Sequence, residues 1–135
     1  MAHGQADAGI PQQAVDLLSG PNFATLSLVV RRRVRSYVMW IAAVDNDLVV
    51  VSPTGSPKTL ALIAGAAAAV LVWRVDHPYD YVELSCRVQA TTTGEAARIM
   101  VEQTLAEKYR GRPYPRPDVS EWTMIRLRPE HTRLW

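Results

Sequence analysis

"ATLSLVVRRRVRSYVMWIAAVDNDLVVVS", residues Ala24 to Ser52, decides the fold. Read with the preceding Asn22 and Phe23, its first part alternates or runs apolar. "VRSYVMWIAAV" does the same after the arginines, and "DLVVVS" follows an Asp-Asn pair suited to a turn. Three antiparallel strands in succession are the simplest reading. Arg31, Arg32, Arg33 and Arg35 then fall at or near the first hairpin tip, where charge stays hydrated and discourages edge pairing with other chains.

Upstream, "IPQQAVDLLSG" places a proline where a first helical turn accepts one and Gly20 where a helix can end, so a short helix is expected. Downstream, the composition from Lys58 to about Ala66 suits a second helix, while "AAVLVWRV" ends in β-branched and aromatic residues that prefer a strand; the change is expected near Gly65 to Ala67. A turn is expected at "DHPYD". In "YVELSCRVQAT", Val82, Leu84, Cys86 and Val88 share one face of a strand and Glu83, Ser85, Arg87 and Gln89 the other. Thr92 followed by Glu95 has capping-box spacing, and Ala97, Val101, Leu105 and Tyr109 form one apolar helical stripe. The prolines of "RGRPYPRPD" require an extended loop, and the alternation in "WTMIRLRPEHTRLW" predicts a closing strand in which Arg126 and Arg128 project together.

The order helix, three strands, helix, two strands, helix, strand argues for an antiparallel α+β barrel with peripheral helices rather than a parallel sheet. With 135 residues the chain has the length of one core. Residues 11–135 are expected to form that domain and residues 1–10 a flexible tail. The apolar fraction of 48% and charged fraction of 21% are those of a globular protein rather than a disordered or fibrous one.

A net charge of +2 is too small to attract nucleic acid generally, so no nucleic-acid partner is expected. The uncharged run from Thr59 to Trp73 is shorter than the roughly 20 residues that cross a bilayer, and no membrane association is expected. "MAHGQADAGI" lacks a basic start and a long apolar run, which gives no secretory signal and a cytoplasmic expectation. The single cysteine, Cys86, sits in a strand with no activating base nearby in sequence, as a packed thiol would.

Conventional catalytic spacings are absent. His3, His77 and His131 lie far apart, and there is no paired-cysteine, Gly-x-Ser-x-Gly or phosphate-loop motif, so no metal site is expected. An enzyme of this composition would rely on a bound cofactor for its chemistry. Read without further context, Lys58 is either an anion anchor or the solvated start of a helix, and Trp40 and Trp73 are either core or neighbours of a planar ring.

The ordered segments "AVDLLSGPNFATLS", "VMWIAAVDNDLVVVS", "PKTLAL", "HPYDYVEL", "AEKYRGRPYP" and "MIRLRPEHTRLW" resemble the pyridoxamine-phosphate-oxidase-like, FMN-binding split β-barrel family. Within it they are most similar to the actinobacterial flavin/deazaflavin oxidoreductases, many of which use coenzyme F420. The resemblance runs from about residue 12 to the end. It implies a homodimer and hydride transfer from a reduced deazaflavin to a small organic substrate, with FMN as the alternative cofactor. It also implies that Ser52, Pro53 and Thr54 line the ring and ribityl region, that Lys58 and Thr59 meet the phosphate, and that Trp40 stands near the ring.

The sequence departs from the family pattern after Lys58. An arginine before the lysine and several after it are replaced by Pro57, Leu60, Ala61, Leu62, Ile63, Ala64, Gly65 and Ala66. This favours a third reading, a non-catalytic relative that has lost its cofactor groove. The arginines at Arg31, Arg33 and Arg35 are candidates to supply the missing charge.

Overall fold

The structure, a computed structural model, describes residues 9–112, Tyr114, Val119 and 121–134. Apart from Gly9 and Ile10, the expected tail lies outside the described residues, as do most of the proline-rich loop and Trp135.

Helix α1, Gln12–Ser19, follows Pro11 at its N-cap and buries Ala14, Leu17 and Leu18. Strands β1 (Ala24–Val30) and β2 (Arg33–Met39) form a hairpin, and β3 (Ala42–Val44) and β4 (Asp47–Pro53) form a second. Each turns through two left-handed residues, Arg31 and Arg32 at φ 52° and 69°, and Asp45 and Asn46 at φ 51° and 67°. That pattern matches the twist of the strands it joins. Asp and Asn tolerate it, whereas arginine does so at a steric cost.

The stretch "VRSYVMWIAAV" is therefore two strands rather than the single one expected. All pairings are antiparallel in the order β2-β1-β5-β6-β7-β4-β3, which puts β2 and β3 at opposite edges. A flat sheet would separate these edges by roughly 29 Å at about 4.8 Å per strand. Only Trp40 and Ile41 join them, and three residue steps reach about 10 Å. The sheet must curl until its edges meet beside Trp40. A continuous apolar run hid this break, because burial on both sides of a crossing looks like one strand.

Helix α2 is shorter than expected, Pro57–Ala61, ending at Leu62 rather than Ala66. Gly65, at φ 86°, makes the bend into β5, Ala67–Arg74, which begins within the interval read from the sequence. The turn expected at "DHPYD" is confined to Val75 and Asp76, and β6 runs from His77 to Thr93. The predicted face of Val82, Leu84, Cys86 and Val88 is buried. Register shifts near Ser85 and Val88 bend this long strand where it pairs with β7, Trp122–Leu134.

The capping box does not form: Thr92 belongs to β6, and Gly94, at φ 93°, precedes the helix without a side-chain cap. The strand's tertiary pairing overrides the local capping preference. The helical segment itself is continuous, with α3 (Glu95–Ile99), a π-helical stretch (Met100–Leu105) and α4 (Ala106–Arg110). Ala97, Val101 and Leu105 are buried as their spacing predicts.

One core lies inside the curled sheet, with Leu17, Leu26, Leu48, Val70, Leu84 and Ile125 among its buried members. A second joins the helical segment to Ala42, Val51 and Trp122. Strand β4 is consequently buried on both faces. At its start the Asp47 carboxylate, 4% exposed, accepts from Arg126 at 3.2 Å and Arg128 at 3.1 Å. The jointly projecting arginines thus serve a buried acid. No helix among the described residues is long and apolar enough to cross a membrane.

Candidate functional site

A cleft of ≈ 380 Å³ opens where the edges of the curled sheet meet the helical segment. Its walls come from the end of β2 (Met39), the crossing residue Trp40, the end of β4 (Val51 and Pro53), and Val101 and Leu105 of the π-helical stretch, with Tyr114 and Trp122. Among the described residues Lys58 is the only charged one in that lining.

The Lys58 ammonium lies 3.4 Å from the Met39 sulfur and 4.7 Å from the centre of the Tyr37 ring. Among the described residues no carboxylate pairs with it. Partial burial removes water from the ammonium and lowers its pKa below the ordinary lysine value. A desolvated cation held on an aromatic face without a counter-charge is a ready partner for an anion.

The loop before Lys58 is fixed by its own hydroxyls. Ser56, the N-cap, accepts from the Thr59 backbone N–H at 3.3 Å, and the Thr59 hydroxyl donates to the Pro53 carbonyl at 2.8 Å. Ser52 lies 3.4 Å from the Ser56 hydroxyl, and Thr54 and Thr123 hydroxyls are 2.6 Å apart. Ser52 and Thr59 are buried. Of the six site residues expected, Trp40, Pro53 and Lys58 therefore come together on the cleft wall. Ser52, Thr54 and Thr59 stand behind it, engaged in holding the loop.

The aromatic wall is continuous. Trp40 stacks on Tyr109 at 5.3 Å with the planes 2° apart, meets Tyr114 edge-on at 5.5 Å, and Tyr114 meets Trp122 edge-on at 5.0 Å. Tyr109 is anchored by donating to the Asn22 carbonyl at 2.6 Å and accepting from the Ile41 N–H at 3.1 Å. Burial raises its pKa to about 12, against which the Ile41 backbone contact acts weakly. The neighbouring Lys108 ammonium donates to the carbonyls of Leu18 at 2.5 Å and Ile41 at 2.7 Å, and burial lowers its pKa to about 8.

The expected packed thiol is confirmed, since Cys86 is 2% exposed and burial pushes its pKa up to about 12. Tyr114, Trp122, Val101 and Leu105 were not singled out for the site from the sequence. The motif containing Pro113 to Pro115 carried a signal for Tyr114. Nothing local distinguishes a helix stripe that lines a cleft from one that only fills a core. Among the described residues no cluster of acids, histidines and cysteine could hold a metal ion.

No protein-family model matches the chain, and no curated protein matches it. Solved structures do. An F420 reductase superposes with a TM-score of 0.77 at 24% identity, covering 92% of this chain and 98% of its own. A candidate pyridoxamine 5'-phosphate oxidase from Listeria innocua gives a TM-score of 0.67 at 17% identity over 91% and 95% of the two chains. An FAD and heme binding protein from Mycobacterium smegmatis gives 0.64 at 21% identity over 94% and 72%. At these identities the likeness is one of fold: the chain has the α+β architecture of pyridoxamine 5'-phosphate oxidase-like proteins, with a sheet of seven antiparallel strands.

Proposed function

We propose that this chain is a cytoplasmic split β-barrel oxidoreductase that binds coenzyme F420, with FMN as the alternative, and reduces a small organic substrate. The observation that carries this reading is the half-buried Lys58, which has no paired carboxylate among the described residues, in a cleft walled by Trp40, Tyr114 and Trp122. A flat, apolar ring bearing one anionic group suits such a lining. The fold shared with an F420 reductase supports the cofactor class.

The residues fit the ring better than a whole phosphorylated cofactor. Lys58 supplies one positive charge, the Ser52 and Thr59 hydroxyls already have partners, and Thr54 is exposed behind the wall. Bound, a reduced deazaflavin or flavin supplies a hydride to an electron-poor substrate carbon, and a solvent proton completes the reduction. The chain's own part is to stack and orient the ring through Trp40, hold its anionic end at Lys58, and exclude water with Val51, Val101 and Leu105.

The reading includes a homodimer. Outside β1 and β2, Val29 and Val34 are 60% and 76% exposed and paired across the hairpin, beside the bonded Ser27 and Ser36 hydroxyls. Ala69, opposite Ser27 on β5, continues this small-residue surface, which permits close approach of a second sheet.

The non-catalytic reading keeps specific support. Leu60 and Ile63, each 65% exposed, stand where further cations would assist a phosphate. Titrating the protein with F420 and with FMN, following quenching of Trp40 and Trp122 emission, separates the readings. Saturable binding of one cofactor supports an oxidoreductase and names its cofactor. Failure of both to bind at submillimolar concentration rejects it and leaves the non-catalytic relative.

A further inference from the structure

The chain contains two lysines, Lys58 and Lys108, and both are partly buried. Their surroundings differ. Lys108 donates to the carbonyls of Leu18 and Ile41 and is committed to the fold. The Lys58 nitrogen touches the Met39 sulfur and the Tyr37 ring, and among the described residues it meets no oxygen acceptor. It also lines a space of ≈ 380 Å³ bordered by Trp40, Tyr114 and Trp122. A lysine nitrogen acts as a nucleophile when it is unprotonated and reachable. Burial without a paired carboxylate disfavours the ammonium and raises the share of neutral amine. A thioether is a weak acceptor, so leaving it costs the nitrogen little.

We infer that Lys58 is a carbonyl-capturing amine, which holds a neutral aromatic aldehyde in the cleft as a reversible protonated imine. The Lys58 lone pair bonds to the aldehyde carbon while the C=O π pair moves to oxygen, which collects the proton that nitrogen releases. The carbinolamine takes a second proton from solvent at the cleft mouth and loses its oxygen as water, and the remaining nitrogen pair closes the C=N bond. Amine, aldehyde and one proton thus give protonated imine and water, and nothing is oxidised or reduced. The positive charge stays over the Tyr37 ring, which stabilises the imine cation as it does the ammonium. The aldehyde's own ring lies among Trp40, Tyr114 and Trp122. Its neutrality follows from the lining: once Lys58 is consumed, the described wall has no second cation to meet an acidic group.

The probe is 2-naphthaldehyde, with propanal as a small aliphatic comparison and sodium cyanoborohydride to reduce the imine to a stable amine. Peptide mapping by mass spectrometry reads the adduct separately at Lys58, Lys108 and the Met1 α-amine. At neutral pH Lys58 should carry at least about tenfold more naphthyl adduct than either other amine, because the cleft holds aldehyde and amine together. Naphthaldehyde should also outrun propanal at Lys58 by at least about tenfold, relative to their ratio on Nα-acetyl-lysine, because the aromatic wall favours the larger ring. Unfolding in urea should erase both preferences, and Lys58→Arg should lower the yield to that of the unfolded chain. Labelling that favours Lys108 or Met1, a Lys58 preference that survives urea, or an unchanged yield in Lys58→Arg overturns the inference. The inference uses the cleft but not the proposed cofactor, and the outcomes separate them. A Lys58 adduct in a protein that binds neither F420 nor FMN rejects the cofactor reading alone; cofactor binding without an adduct in the free protein rejects the capture alone.

Discussion

Replacing Lys58 with methionine separates a binding lysine from a structural one. The substitution keeps the unbranched stem against Met39 and Tyr37 and removes only the charge. In the free protein it removes a partly desolvated ammonium that has no paired carboxylate among the described residues, and it loses a cation–π contact at 4.7 Å. Such a contact is worth about 0.5–1 kcal/mol at a partly exposed site, and relief of desolvation offsets it, so stability should change by less than about 1 kcal/mol. For 135 residues that is a melting shift of no more than roughly 3–4 °C. An anion held by the ammonium loses a charge-assisted hydrogen bond of about 1.5–3 kcal/mol, roughly 10- to 150-fold in Kd. The assay is a fluorescence titration of wild type and variant with F420 and FMN, beside thermal melts of both free proteins. Unchanged affinity with a melting point lowered by 6 °C or more would show that Lys58 supports the fold instead, and the anchoring argument would fail.

Thr132, 2% exposed, has a hydroxyl with no partner among the described residues, so Thr132→Val should stabilise by about 1 kcal/mol in urea unfolding; a loss of stability would reveal an unseen partner. Asp47→Asn leaves Arg126 and Arg128 without their acid, and because both arginines can rehydrate the expected cost is about 2 kcal/mol, below that of a fully buried pair. Arg31→Asn with Arg32→Gly relieves two left-handed arginines and should raise stability by about 1–2 kcal/mol, read as a higher denaturation midpoint at constant slope. The pH profile follows from three groups. Lys108 titrates near 8 folded against 10.5 unfolded, so the unfolded chain holds the extra proton and stability rises with pH across that window. Cys86 and Tyr109 are raised to about 12 from 9.0 and 10.0, so each lowers stability as pH climbs above its unfolded value. A stability maximum near pH 9 is expected, with Cys86→Ala delaying the alkaline loss; a monotonic fall from pH 7 would contradict the assignment to Lys108.

The antiparallel character was legible because turns and alternation are local. Asp45 and Asn46 announced their hairpin, the even-numbered residues Val82 to Val88 announced one buried face, and Ala97, Val101 and Leu105 announced one helix stripe. What was illegible depends on pairing at a distance. Trp40 breaks a run that reads as one strand, since β2 and β3 find partners on opposite edges. Thr92 prefers the ladder with Met124 to capping the helix three residues on. Three of the residues expected at the site share the cleft wall, Trp40, Pro53 and Lys58, and the last two flank a loop whose sequence signals a helix start. Tyr114 and Trp122 reach the cleft only through tertiary packing.

The stretch containing Lys108 and Tyr109 shows how the fold and the cleft depend on each other. Lys108 spends its donors on the carbonyls of Leu18 and Ile41, and Tyr109 bonds both Asn22 and Ile41. Together they tie α4 to the end of α1 and to the residue following Trp40. The crossing between the sheet's two edges is thereby fixed, and the Tyr109 ring, stacked between Phe23 and Trp40, sets the plane of the Trp40 indole. A ring lying against Trp40 inherits an orientation established by backbone carbonyls rather than by any residue it touches. Among the described residues the cleft has one cation and no acid–base pair, so a ring bound there would take its orientation from the knot behind the wall. Lys58 then contributes attraction, not alignment, and the two properties can be lost separately.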